Sequence, residues 1–191
     1  MKKLLICLLL LSATGTFAQD AATIKHDFET MVAYTRQKQL GKIVDMTYPQ
    51  LFKIMPKEQM LASDDGLLNG MGATMIFEEK PLMLKLSPVK KLTNASICLG
   101  RYNQSLIIQF KDQSMIDMLA KVKMKDNKIE KLDKNRLRMR GVQYLLAIKD
   151  AYTNGTWKYL RYDDENAAVD AKVLSKEIQT NSAQLKAALN N

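Results

Sequence analysis

The order of periodic segments along the chain predicts an α+β fold, with N-terminal helices packed on a curved antiparallel sheet and a C-terminal helix. Apolar residues recur at helical spacing through the first third, and the pattern alternates with a period of two after Ala73. A run of helices followed by a run of strands is typical of helices that cover one face of an antiparallel sheet. Residues 19–191 are expected to form a single domain, since no repeat or linker divides them.

The first third of the chain is expected to contain two or three short helices. One apolar stripe consists of Ile24, Phe28, Met31, Val32 and Thr35. A second consists of Leu40, Ile43, Val44 and Thr47. Pro49 ends this second helix, because the residue before a proline avoids helical angles, and Pro56 suits the start of a third. Residues 66–72 are expected to form a glycine-rich loop, since they lack the flanking strand and lysine of a phosphate-binding loop.

Strands are expected after Ala73, where apolar and polar residues alternate. The predicted strands are 74–78, 82–86, 95–100, 105–110, 121–125 and 136–140. Residues 101–104 are expected to form a tight connection, and Asn127-Lys128 and Asp133-Lys134 to mark turns. Residues 114–119 fit either a helix or a strand.

The end of the chain contains a predicted hairpin and a predicted helix. Residues 144–152 and 156–162 flank Asn154-Gly155, a dipeptide that favours a tight two-residue turn. Such a turn would place Tyr152 opposite Trp157, and that aromatic pair would help to fix the register. The helix is marked by Leu174, Ile178, Leu185 and Leu189.

The N-terminus has the organisation of a cleavable secretory signal peptide. Lys2 and Lys3 precede an unbroken apolar run, 4–11, and small residues lead to a cleavage site between Ala18 and Gln19. Eight apolar residues are too few for a bilayer core, which needs about 20, so no transmembrane span is expected. The sequence therefore predicts export, to the periplasm or outside the cell, with residues 1–18 removed.

Charge is concentrated in one part of the chain. The formal charge is +9, and loss of Lys2 and Lys3 with the signal peptide leaves +7. The predicted strands 121–125 and 136–140 each have one basic face, formed by Lys121, Lys123, Lys125, Arg136, Arg138 and Arg140. If these strands are neighbours, the six cations share one surface that would attract cell-surface polyanions. The alternative is a solvated face whose charges prevent edge pairing. Nucleic acid is disfavoured, because no aromatic residue is interleaved with these cations.

Short motifs resemble those of small exported proteins of uncharacterised function from Bacteroidetes-type genomes. The motifs are Tyr48-Pro49, Leu51-Phe52, 57–60, 143–150, 157–160 and the ending Phe17-Ala18-Gln19. These proteins are similar to the NTF2-like (cystatin-like) cone, in which helices lie in the curve of a bent antiparallel sheet. The resemblance implies that fold and supplies no catalytic residues.

Few residues of the sequence are suited to catalysis. After signal removal Cys98 is the remaining cysteine and His26 the one histidine, which are too few for a metal site. A Ser-His-Asp set is not expected either, because His26 faces away from the core. Cys98 lies in an apolar segment and is expected to be buried, whereas His26 falls off the apolar stripe and is expected to be solvated. Asp45 and Asp117 lie among apolar residues and are the candidates for a catalytic base.

The function expected from these features is that of an exported, non-enzymatic module without a cofactor. It would bind a ligand or a protein partner through its curved sheet. The alternatives are a small NTF2-like enzyme with a carboxylate in the cone, and a binder of polyanions through the basic face.

Overall fold

The computed structural model describes residues 2–62, 72–121, 127–162 and 167–191, with the backbone alone for 2–18 and 167. Its helices are α1 (Lys2–Arg36), α2 (Leu40–Met46), α3 (57–62), α4 (Gln113–Leu119), α5 (Ala167–Val173) and α6 (Lys176–Asn190). Its strands are β1 (Ala73–Phe77), β2 (Lys85–Leu86), β3 (Lys90–Lys91), β4 (Ala95–Phe110), β5 (Asn127–Lys131), β6 (Arg136–Asp150) and β7 (Lys158–Arg161). Short 3-10 turns span Pro49–Lys53 and Ala151–Thr153. The predicted α+β class is confirmed.

Two long strands form the spine of one antiparallel sheet. β4 and β6 pair without a break from Ala95↔Asp150 to Gln109↔Arg136. Along the free edge of β4 lie three short strands, β1, β2 and β3. Along the free edge of β6 lie β5 and β7. Because every strand pairs with β4 or β6, the alternation along those two strands decides which side chains share a face.

Helices cover both faces of the sheet, which corrects the prediction that they cover one. On the face that we call the α1 face, Ile24 packs against Cys98, Ala147 and Tyr159. On the opposite face, which we call the α6 face, α5, α6 and Tyr48 pack against the sheet. That core contains Ile97, Leu99, Tyr144, Leu146, Ile148, Leu160, Val173, Leu174 and Ile178. Successive strand residues alternate between these two cores, so the segments around Cys98 and Ala147 are apolar throughout.

The far end of the long strands has its own small core. α4 packs there on the α1 face, where Ile116 is fully buried beside Phe110, Leu137 and Ala73. Asp112 begins α4 by accepting a hydrogen bond from the backbone N–H of Ser114. The segment that fitted either a helix or a strand is therefore a helix.

The N-terminal helix contains the predicted stripe. Ile24 and Phe28 are buried, and His26 is exposed, as predicted. The Asp20 carboxylate accepts hydrogen bonds from Lys149 Nζ at 2.9 Å and Trp157 Nε1 at 3.0 Å, which fasten α1 to β6. Of the helices within the described ranges, none has both the length and the apolar character that crossing a bilayer requires.

Two strand predictions are wrong in the centre of the sheet. The residues predicted as a tight connection, 101–104, continue β4, because β6 supplies a hydrogen-bonding partner along their whole length. The predicted turn Asn127-Lys128 is the beginning of β5, where Asn127 pairs with Gly141. The turn at Asp133-Lys134 is confirmed, since it joins β5 to β6. The predicted loop at 66–72 lies outside the described residues except for Gly72.

The predicted two-residue hairpin is also wrong. Asn154 and Gly155 do have positive φ angles, 50° and 72°, as such a turn requires. However, β6 ends at Asp150, whose carboxylate caps the following 3-10 turn in a reciprocal capping box with Thr153. This cap lengthens the connection, so β7 pairs Lys158 with Ile148 and Tyr152 does not face Trp157 across a ladder.

Candidate functional site

A cavity forms where the sheet narrows to its two central strands. β1 pairs with β4 as far as Leu106, and β2 pairs with it from Arg101. Between them two hydrogen bonds remain, from Glu78 N to Ser105 O and from Asn103 N to Leu82 O. Along the other edge, the pairing of β6 with β5 reaches as far as Gly141, and its pairing with β7 reaches as far as Leu145. Among the described residues, no strand therefore pairs with the middle of the hairpin at either edge, and side chains from the neighbouring segments surround this stretch.

The cavity has a volume of about 730 Å³, which lies within the range of small-molecule sites. It lies between the last turns of α1, residues 77–83, the middle of β4 and β6, and the first residues of β5. Its lining comprises Val32, Thr35, Arg36, Phe77, Glu78, Lys80, Pro81, Leu82, Met83, Tyr102, Asn103, Gln104, Ser105, Asn127, Lys128, Arg140, Gly141 and Val142.

Strand alternation shows which of these side chains lie on the cavity side of the sheet. Tyr102 lies on the α1 face, where its ring meets Phe28 edge to face at 4.7 Å. Gln104 shares that face and pairs with Gly141 of β6, which pairs on its other side with Asn127 of β5. Because Gly141 has no side chain, the described residues leave a gap in the centre of the row Gln104–Gly141–Asn127. The side chains of neighbours such as Arg140 and Ser105 belong to the opposite face.

Uncharged polar groups line the floor of the cavity. The Gln143 amide N–H donates to Asn127 Oδ1 at 3.0 Å. Asn127 therefore accepts a hydrogen bond with its oxygen and retains its amide N–H groups as donors for another partner. Burial raises the pKa of the Tyr102 hydroxyl, an effect that Arg161 partly offsets. Within the described ranges, neither the Tyr102 hydroxyl nor the Gln104 amide makes a side-chain hydrogen bond. These groups lie beside the apolar side chains of Val32, Phe77 and Leu82.

The mouth of the cavity contains an unpaired cation and a strained residue. Arg36 Nη2 reaches the carbonyl oxygen of Lys80 at 3.5 Å, and no carboxylate among the described residues lies within ion-pair distance of it. Met83 is 65% exposed and has a φ of 50°, a left-handed conformation that is uncommon for a residue with a long side chain. Backbone strain of this kind clusters at functional sites, and an exposed methionine offers an adaptable apolar contact.

A cluster of ion pairs lies on the reverse side of the same region. Glu78 accepts hydrogen bonds from Ser105 Oγ and, at 3.0 and 3.1 Å, from Arg138 Nε, and Lys80 Nζ lies 3.4 Å away. The Ser105 hydrogen bond, and then Arg138, lower the pKa of Glu78 although burial opposes them. The oxygens of Glu78 are therefore engaged in hydrogen bonds that join the end of β1 to β6. With a lowered pKa and these partners, Glu78 is not suited to act as a base.

The predicted basic face is assembled only in part. Arg136, Arg138 and Arg140 do share the α6 face of β6, as predicted. However, Arg138 is held by Glu78 and by Glu130 at 3.5 Å, and Arg136 by Asp133 at 2.7 Å. Arg140 lies 3.7 Å from Glu130. Lys128 extends this row from β5, directly opposite Arg140.

The lysines of that prediction are placed differently. Lys121 lies in the turn after α4, which contradicts the predicted strand 121–125 at its first residue. The helical pattern of α4 extends to Leu119, so Lys121 has no ladder partner there. Lys123 and Lys125 lie outside the described residues.

The two candidate carboxylates lie away from the cavity. Asp45 is exposed on α2, and its backbone carbonyl accepts from Lys158 Nζ at 2.6 Å. Asp117 is exposed on α4, where a hydrogen bond from Lys131 at 2.6 Å lowers its pKa. Neither residue lines the cavity, so neither is the buried base that was expected of an enzyme.

The predicted environment of Cys98 is confirmed. Cys98 is fully buried and donates to the carbonyl oxygen of Ser87 at 3.2 Å. Burial raises its pKa to about 11, against a smaller opposite effect of Ser87, so the thiol is poorly reactive at neutral pH. Among the described residues no three histidine, cysteine or acidic side chains gather as metal ligands would.

Sequence reasoning missed the residues that line the cavity. Arg101 to Gln104 were interpreted as a turn because they interrupt an apolar strand with polar side chains. The same interruption recurs in the partner strand at Gly141 and Gln143. Because β4 and β6 pair at these positions, the two interruptions lie opposite each other, and recognising that pairing would have indicated an opening in the sheet.

The sequence was compared with protein-family models and with curated proteins, and neither comparison identifies a relative. No protein-family model matches the chain, and no curated protein sequence is significantly similar to it.

Proposed function

We propose that this protein is an exported, non-enzymatic module that binds a small, mainly apolar ligand in the cavity between α1 and the sheet. The cavity itself carries this proposal. It is large enough for a small molecule, and its wall of Val32, Phe77 and Leu82 would gain free energy by excluding water. The polar groups on its floor are few, as is usual where they fix a ligand's orientation.

Catalysis is supported less well than binding. Glu78 is the carboxylate among the described lining residues, and it is neutralised by Lys80 and Arg138 on the reverse side of the sheet. An acid or base in an apolar pocket would need a free carboxylate there. The hypothesis of an NTF2-like enzyme based on Asp45 or Asp117 gains no support, since both are exposed.

Export is part of the proposal, and the N-terminal pattern supports it. Removal of residues 1–18 would leave Gln19 exposed at the start of the mature chain. Asp20 and Ile24, which fasten α1 to the sheet, would be retained. The intact mass of the protein recovered outside the cytoplasm should lack residues 1–18, and a mass that includes them would contradict export by cleavage.

We propose an NTF2-like cone as the finer description of the fold. Its support is a helix, α1, that lies on the sheet beside a cavity, with Phe28 contacting Tyr102. The α6 helix on the opposite face is a difference from the simplest form of that arrangement. An experimental structure in which α1 does not lie in the concave face of the sheet would contradict it.

Ligand binding is tested with a neutral apolar fluorophore, N-phenyl-1-naphthylamine. The wild type should bind it with enhanced fluorescence, and Thr35→Trp should abolish binding because the indole would enter the cavity. Thr23→Trp is the matched control, since Thr23 and Thr35 are both on α1 and both donate to the carbonyl four residues earlier. Equal binding by both variants would contradict the cavity as the site.

Polyanion binding remains the second candidate, because Arg136, Arg138 and Arg140 do share a face. All three arginines are paired with carboxylates, which weakens the attraction. Heparin binding that falls steeply with salt and is lost in a triple Arg→Ala variant would support it. Heparin binding that is indifferent to both would exclude it.

A further inference from the structure

We infer that the ligand of this cavity carries a carboxylate, which is held over Gly141 between the side-chain amides of Gln104 and Asn127. The inference rests on the proposed function and names the chemical class of its ligand, an apolar chain ending in a carboxylate. It follows from the donors that the cavity offers and from the gap between them.

The row Gln104–Gly141–Asn127 provides a space of suitable size. Adjacent strands lie about 4.8 Å apart, so β4 and β5 are separated by about 10 Å with β6 between them. A side chain at position 141 would project into the space between the two amides, and as far as the described residues show, glycine leaves that space open to the cavity. Gly141 is not among the described glycines with a positive φ, so the backbone conformation gives no reason for glycine at this position.

The groups around that space can donate hydrogen bonds. Asn127 Oδ1 is occupied by Gln143, so Asn127 presents N–H groups. The Gln104 amide and the Tyr102 hydroxyl can each donate or accept, while Arg36, which donates only, places a positive charge at the mouth. A carboxylate accepts hydrogen bonds without donating any, so it matches a donor-rich site better than an alcohol or an ammonium group does.

Among the described lining residues, no carboxylate is directed at these groups. Glu78, which lines the cavity, directs its oxygens to Ser105 and Arg138 on the reverse side of the sheet. The remaining wall, with Val32, Phe77 and Leu82, is apolar and suits an alkyl chain. Each methylene buried there should strengthen binding about fourfold.

The test compares decanoate, decanol and decyltrimethylammonium by isothermal titration with the full-length mature protein. Decanoate should bind at least about tenfold more tightly than decanol, because a hydrogen bond to a charged group contributes more than one to a neutral group. The preference should disappear in Gln104→Leu and Asn127→Leu, which retain the apolar wall.

Gly141→Ala supplies a second variant that is independent of the amides. It should reduce decanoate affinity by a larger factor than it reduces the binding of N-phenyl-1-naphthylamine, because the added methyl group occupies the space over which the carboxylate is held. Gly41→Ala is its matched control, because a Cβ at Gly41 would meet no atom within 4 Å.

The outcomes separate the inference from the proposed function. If the neutral fluorophore binds but decanoate binds no more tightly than decanol, the inference is overturned and the cavity keeps its function. The same holds if the preference persists in both leucine variants. If neither the fluorophore nor any amphiphile binds, the proposed function itself is overturned and the inference with it.

Discussion

The two halves of the β4–β6 hairpin belong to the same pair of strands but have different surroundings. The first half is the end of the ladder where Ala95 pairs with Asp150, and the second half is the end where Gln109 pairs with Arg136. In the first half, Ile97, Leu99, Leu146 and Ile148 are fully buried and helices lie on both faces. In the second half, α4 covers the α1 face, and no described helix covers the other, which carries Arg138 and its ion pairs. The cavity lies where one half passes into the other. The first half therefore provides stability, and the junction provides the room for a ligand.

The comparison is tested most strongly by removing the same side chain from each half. Ile148→Ala should lower the free energy of unfolding by about 2–5 kcal/mol, because it leaves a cavity in a closed core. Ile107→Ala, on the face of the second half that no described helix covers, should cost about 1 kcal/mol or less. Urea unfolding of both variants measures the difference. Equal losses would show that the second half is as tightly packed as the first.

A buried hydrogen bond should have the next largest effect. The Tyr159 hydroxyl donates to Asp27 Oδ2 at 2.7 Å and so links β7 to α1. Tyr159→Phe would remove a hydrogen bond to a charged group, and a loss of about 1–3 kcal/mol in urea unfolding is expected. Tyr152→Phe removes the hydroxyl of a side chain that is 58% exposed, so it should have almost no effect on the free energy of unfolding. A Tyr159→Phe variant as stable as the wild type would contradict this account of how α1 is held.

The ion pairs of the second half should contribute least. Glu78→Gln removes the charge that Arg138 and Lys80 face, and a loss on the order of 1 kcal/mol at neutral pH is expected. Exposed Glu79 offers the control, Glu79→Gln.

The pH dependence of this loss has a definite sign. The pKa of Glu78 is lowered in the folded protein, chiefly by Ser105 and then by Arg138. Its contribution is therefore present above the ordinary glutamate pKa and is lost as the pH falls through the folded value. The difference between wild type and Glu78→Gln should vanish in acid. A difference that grows towards acid pH would mean that Glu78 is stabilised in its protonated form.

Much of the fold could be predicted from local pattern. The apolar stripes of α1 and α2 and the terminal helix α6 are present. So are β1 and the predicted strand 136–140, which forms the beginning of β6. These elements have one clear periodicity each, and their burial follows it. The exported location and the NTF2-like resemblance stay predictions.

The junction could not be predicted, because its structure depends on pairing between distant residues. Arg101 to Gln104 have the composition of a turn, yet β6 pairs with them forty residues later in the chain. Asp150 and Thr153 form a cap that outweighs the turn preference of Asn154-Gly155. The free amide of Gln104 and the gap at Gly141 become meaningful when β4, β5 and β6 are side by side.

Hydrogen–deuterium exchange with and without decanoate tests the central claim, that ligand binding is confined to the junction. The ligand should slow exchange in residues 32–36, 77–83, 102–105 and 140–143, which surround the cavity. Residues 144–150 and 176–190, in the covered half, should exchange at unchanged rates. Slower exchange that is confined to the covered half, or to the arginines of residues 136–138, would contradict the claim.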